Sequence, residues 1–194
     1  MTMFRSLLAA AAFAAALALA VLYGKTTATV HASPAPPAAL ARLVPAKAPA
    51  PVAAVSFTAA DGARHALASF KGRYVLLNLW AVWCAPCIKE LPALAKLQAA
   101  LGDKNFLVVP VDVARGTPAD AAEFLKAHGA AGLPAYIDSD LALMRVFGAY
   151  GLPLSVLIDP KGREIARAVG PADWDAPDAV AWFRTATKVP LTGP

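Results

Sequence analysis

Cys84 and Cys87 are the only cysteines of a 194-residue chain, and they stand where a mostly apolar run, Val75 to Trp80, gives way to a helical pattern. A strand that leads into a helix at this point puts the first thiol at the helix opening and the second one turn later. At i and i+3 the two sulfurs can close a small disulfide ring without moving the backbone. Unpaired N–H groups and the macrodipole of the helix N-terminus stabilise a thiolate on the first sulfur. That combination suits reversible thiol–disulfide exchange. Half of a zinc site has the same spacing, but no second cysteine pair exists to complete one.

The rest of the chain divides by composition. Ser6 to Gly24 carries no charge and is flanked by Arg5 and Lys25. Residues 1–25 therefore read as a membrane-spanning signal anchor, of roughly the length a hydrocarbon layer requires. The alternative is a cleaved signal peptide, with Val30-His31-Ala32 as a small-residue cleavage site. Either outcome exports the domain. Residues 26–51 are rich in proline and alanine and read as a semi-extended linker. The domain itself spans 52–189, and a short tail occupies 190–194.

The net charge of +5 invites a nucleic-acid reading. Arg5, Lys25, Arg42 and Lys47 lie before the domain, and from Val52 onward 14 Lys and Arg face all 13 Asp and Glu. The basic excess thus belongs to anchor and linker, and no basic face for phosphates is expected on the domain.

Within the domain, two extended pieces flank the turn pair Asp61-Gly62, with Phe57 and Leu67 as core contacts. Tyr74 to Trp80 reads as a strand buried on both faces, with Asn78 its one polar residue. Leu91, Leu94, Leu97 and Leu101 then recur at helical spacing up to Gly102, and Pro92 is expected to kink that helix. Phe106 to Val113 is a second strand, in which Pro110 marks an irregularity or an edge. Thr117 opens a helix over Pro118 to His128. Ala135 to Ile137 is a short strand, and Asp140 is expected to cap a small helix. Leu154 to Ile158 and Glu164 to Val169 form an antiparallel pair about the turn Asp159-Pro160-Lys161-Gly162, and a last helix runs over Ala176 to Thr187. A parallel half with crossover helices and an antiparallel half ending in a helix predict a three-layer α/β sandwich.

Asn78-Leu79-Trp80-Ala81-Val82-Trp83-Cys84-Ala85-Pro86-Cys87, with Glu90 and Pro92, resembles the thioredoxin fold and its exported, membrane-tethered branch of TlpA-like and ResA/CcmG-like proteins. The resemblance extends over Val52 to Thr187. It includes Gly151-Leu152-Pro153, Asp159 to Gly162 and Gly170-Pro171-Ala172-Asp173-Trp174, where it is most like TlpA. It implies a thioredoxin-like fold with an N-terminal β-hairpin extension and a central insert before Pro153.

The resemblance also assigns roles. Cys84 would be the attacking thiol and Cys87 the buried resolving thiol. Pro153 would be a cis-proline facing the disulfide, with Leu152 lining the surface where substrate backbone docks. Trp83 would shield the thiol and contact substrate, while Trp80, Trp174 and Trp182 are read as packing residues. Asn78 stands where cytoplasmic thioredoxin has a proton-moving aspartate, and Glu90, one turn after Cys87, is the replacement. Pro86 accompanies reducing members of the superfamily.

The implied activity is that of an exported reductase of protein disulfides, monomeric and periplasmic, with the Cys84–Cys87 disulfide as its only redox group. It would be recharged by a transmembrane thiol donor. The resemblance implies two client classes: copper-site cysteines of cytochrome oxidase and its copper chaperone, or the haem-binding cysteines of apocytochrome c. A different reading is a copper-binding chaperone that adds a histidine, from His31, His65 or His128, to the two cysteines. A stoichiometric copper complex lost on His128→Ala is its signature.

Overall fold

The computed structural model describes residues 34–103 and 105–187. The anchor or signal peptide at 1–25, the cleavage site with His31, the start of the linker and the tail at 190–194 lie outside the described residues. Among those described, no helix is long and apolar enough to cross a membrane.

The elements are β1 (Leu43–Pro51), β2 (Ser56–Ala59), β3 (Arg64–Ala66), β4 (Tyr74–Trp80), α1 (Ala85–Leu101), β5 (Phe106–Asp112), α2 (Pro118–Ala127), β6 (Tyr136–Ile137), α3 (Ala142–Val146), β7 (Leu154–Ile158), β8 (Arg163–Val169) and α4 (Pro177–Ala186). One sheet runs in the order β1-β8-β7-β4-β5-β6-β2-β3. β4 pairs in parallel with β5 and antiparallel with β7, so the strand that ends beside the cysteines is central, and every residue of it is buried. The expected α/β class with a mixed, thioredoxin-like sheet is the one observed.

The connections β4-α1-β5 and β5-α2-β6 step the same way across the sheet, which as right-handed crossovers puts α1 and α2 on one face. The two helices meet where Gly129 follows α2: a Cβ there would lie 3.6 Å from Pro92 Cγ. α4 also packs on α1. Leu91, Leu94 and Leu97 of α1 are fully buried, as their spacing predicts. Thr117 caps α2 reciprocally, its hydroxyl accepting from the Asp120 N–H while the Asp120 carboxylate accepts from the Thr117 N–H.

Two expectations are corrected. The segment read as a linker ends well before residue 51: β1 pairs antiparallel with β8, from Leu43 opposite Ala168 to Pro51 opposite Arg163. Leu40 is fully buried just before it, and Pro34 accepts a hydrogen bond from Trp182 Nε1 at 2.7 Å. Its composition misleads because an edge strand needs ladder bonds on one side only, so proline is tolerated there. The edge expected at Pro110 is found within β5, because on the side away from β4 pairing with β6 begins only at Val111. The Val108 N–H is taken by Gln98 Oε1 at 2.7 Å, so this side of the strand is an edge locally. Asp140 does not cap α3; the Leu143 N–H donates to Asp138 Oδ2 at 2.7 Å, and Leu141 precedes the helix in a left-handed conformation with φ 57°.

Candidate active site

β4 delivers the chain to one end of the sheet, and the turn Ala81 to Trp83 passes it to α1. Cys84 is the N-cap of that helix in extended conformation, and its Sγ accepts from the Cys87 N–H at 3.3 Å. The two sulfurs are bonded, with S–S 2.07 Å. Pro86 sits in the first turn, where its missing N–H has no helical partner to lose. Cys87 is fully buried and Cys84 is 5% exposed, whereas the adjacent Trp83 is 71% exposed. Cys84 is thus the outer of the two sulfurs, and an aromatic ring in solvent stands next to it.

The Leu152–Pro153 peptide is cis. Leu154 pairs with Leu79, so one step further Pro153 comes opposite Trp80, at the same end of the sheet as the disulfide. Gly170, at φ 92°, donates its N–H to the Pro153 carbonyl at 2.8 Å and starts the loop that leads to α4. Leu152 is partly buried against the core. Pro92 lies inside α1, where it removes the donor that the Ile88 carbonyl would otherwise meet.

Glu90 follows Cys87 by one helical turn and is only 4% exposed. Its Oε1 accepts from Asn78 Nδ2 at 2.8 Å, and its Oε2 from Trp174 Nε1 at 2.9 Å and the Ala172 N–H at 3.3 Å. Asn78 also donates to Ser155 Oγ at 2.9 Å, its register partner across β4 and β7, while Asn78 Oδ1 is buried without a partner. Burial pushes the Glu90 carboxyl up to about 7, against the three hydrogen bonds, which favour its charged form. A carboxyl that titrates near neutrality can both take and give a proton at working pH.

Trp174, read from the sequence as a packing residue, is fully buried against Phe183, with ring centroids 6.2 Å apart, but it also donates to the acid. Sequence reasoning missed Ser155 as well, although a polar residue in an otherwise apolar strand is a legible signal. Nothing near Trp174 in the chain points to Glu90, 84 residues away. Trp80 is buried beside Phe124, with ring centroids 5.5 Å apart, and its Nε1 has no partner.

No three His, Cys, Asp or Glu side chains gather into a metal-sized cluster among the described residues. His65 lies on β3 beside Phe70 and Tyr136, and His128 ends α2 with Nδ1 2.8 Å from the Phe124 carbonyl.

Against known proteins, the sequence model of the Redoxin family matches residues 45–182. The thiol-disulfide oxidoreductase ResA of Bacillus thuringiensis subsp. konkukian (strain 97-27) is 33% identical over 110 residues, 57% of this chain and 62% of that protein. The thioredoxin-like protein YneN of Bacillus subtilis (strain 168) is 36% identical over 102 residues, 53% of this chain and 48% of that protein. The chain therefore matches less than two thirds of the length of these relatives. Among solved structures, a putative thiol:disulfide interchange protein DsbE from Chlorobium tepidum superposes with a TM-score of 0.62 at 28% identity, covering 72% of this chain and 96% of that one.

Proposed function

The chain belongs to the redoxin family, and on that premise we propose that it is a thiol–disulfide oxidoreductase that reduces protein disulfides outside the cytoplasm. The observation that carries this is the Cys84–Cys87 disulfide at the opening of α1, with the Cys87 N–H directed at Cys84 Sγ. On reduction, that amide and the helix dipole stabilise a thiolate on Cys84.

The thiolate attacks one sulfur of a client disulfide, and the other client sulfur leaves as a thiolate. Cys87 loses its proton and attacks Cys84 Sγ in the mixed disulfide, which closes the protein's own disulfide and releases the second client thiolate. Two electrons pass to the client, and a membrane dithiol donor restores the pair. Glu90 serves as the base that takes the Cys87 proton, and returns a proton when the pair is reduced. Trp83 and Leu152 provide apolar surface for the client next to Cys84. Pro153, Pro86 and Pro92 shape the backbone around the pair.

Reduction is favoured over oxidation because Pro86 matches the reducing members of the superfamily, near about −270 mV for thioredoxin. Copper-site cysteines of an oxidase subunit or its chaperone are the clients suggested by the loop Gly170 to Trp174. Apocytochrome c is the second reading, favoured by the similarity to proteins named ResA. A redox titration tests the direction: a midpoint near that of thioredoxin is expected, and one above about −180 mV, the range of protein disulfide isomerase, overturns it. Cys87→Ser, which stalls the mixed disulfide, is expected to capture the client for identification by mass. A copper subunit or chaperone supports the first reading, and apocytochrome c the second.

A further inference from the structure

Among the described residues, every polar group that touches the Glu90 carboxyl is a donor. Asn78 comes from β4, one strand from the helix that carries the acid. Trp174 and Ala172 come from the loop between β8 and α4, 84 and 82 residues further along the chain. That loop is fixed at three points: the Gly170 N–H donates to the Pro153 carbonyl at 2.8 Å, the Asp173 N–H donates to the Ala39 carbonyl at 3.2 Å, and the Trp174 ring packs on Phe183.

We propose that Trp174 is a positioning residue for Glu90, its indole N–H holding the carboxyl one helical turn from Cys87 so that a proton can pass between acid and thiol as the disulfide opens and closes. The inference rests on the reading of Glu90 as the proton carrier. An indole N–H can donate to a carboxylate, but it has nothing to accept from a carboxylic acid. It therefore opposes burial by selecting the ionised form. Of the three hydrogen bonds it is the one that opposes burial most.

No charged neighbour takes its place. The causes of the Glu90 shift are burial and the three donors, Trp174, Asn78 and Ala172, and no charged side chain of α1, the loop or α4 is among them. Lys96 is engaged with Asp175 at the surface, at 2.8 Å. β4 and β7 present only the neutral Asn78 and Ser155 to this network.

The experiment compares the full chain with Trp174→Phe and Glu90→Gln. Oxidation of each reduced protein by 2-hydroxyethyl disulfide, which does not itself titrate, is followed from pH 5 to 9. Glu90→Gln should remove the limb near neutrality. Trp174→Phe should keep that limb and move it up by about one pH unit, a tenfold change in the ionisation constant. In the unsubstituted protein the indole ¹⁵N–H resonance of Trp174 should titrate with the same midpoint and become pH-independent in Glu90→Gln; this readout decides the matter if Trp174→Phe does not fold. A folded Trp174→Phe with an unmoved limb, or an indole resonance that ignores pH, overturns the inference alone. An intact limb in Glu90→Gln overturns the reading of Glu90 and the inference with it.

Discussion

Asn78 gives its amide protons to Glu90 Oε1 at 2.8 Å and Ser155 Oγ at 2.9 Å, and leaves its own Oδ1 buried without a partner. This orientation suits an ionised Glu90. A protonated Glu90 would have a hydroxyl to donate, and the amide nitrogen of Asn78 that faces Oε1 cannot accept it. Asn78→Asp places a second carboxyl against the first, so the pair cannot both ionise without repulsion. Both groups then hold protons more tightly when folded, and stability is lost as pH rises. Chemical denaturation should show the variant's deficit relative to the parent widening as pH rises from 4 to 8, to about 3 kcal/mol.

The Glu90 carboxyl titrates at about 7 in the folded chain, above its ordinary value of 4.5. Between these values the unfolded chain releases a proton that the folded chain keeps, so stability falls as pH rises from about 4.5 to 7 and levels off beyond. The decline due to this group is on the order of 3 kcal/mol. Denaturation of the parent and of Glu90→Gln at pH 5 and pH 8 measures it, and the variant should lack that part of the slope.

Trp83 is 71% exposed beside a nearly buried Cys84, so its ring contributes little to the core. Trp83→Ala should change stability by less than about 0.5 kcal/mol. It should lower kcat/KM about tenfold for a protein disulfide, in which apolar neighbours meet the ring. Little change is expected for a small soluble disulfide, which cannot reach the ring and the sulfur together.

Leu40 is fully buried within the stretch whose composition reads as a spacer. If that stretch were a spacer, Leu40→Ala would be silent. As part of the folded unit it should lose about 2–4 kcal/mol in denaturant unfolding.

Thr117→Ala removes the hydroxyl half of the α2 capping box and should lower stability by about 1 kcal/mol. Oxidation kinetics should be unchanged, since the capping bonds involve only Thr117 and Asp120.

Much of the fold is legible in the sequence because it is local. Hydrophobic period, turn residues and caps are written within a few positions of each other, and they mark the central strand, the leucine-faced α1, the hairpin at Asp61-Gly62 and the pairing about Gly162. The cysteine pair and Glu90 are visible for the same reason, lying on one helix at a spacing of three. What escapes is set by distance along the chain. Trp174 reaches Glu90 only because β8 and α4 bring their loop over α1, and Leu40 is buried only because β8 offers an edge. Asp140 gives way to Asp138 because several carboxylates near a helix start are chemically alike, and backbone geometry chooses between them.

β1 has one further effect. It covers the outer side of β8, which would otherwise present a long row of unpaired amides to any extended peptide nearby. The strand that takes the outermost place carries Pro45, Pro49 and Pro51, with Lys47 between them. Such a backbone accepts pairing from one side and offers a poor template on the other. On the function proposed above, the protein would hold its clients through a mixed disulfide and so keep extended chains close to itself. The proline-studded border makes it hard for those chains to join its sheet, so the same composition that looks like a passive spacer acts as a guard against aggregation.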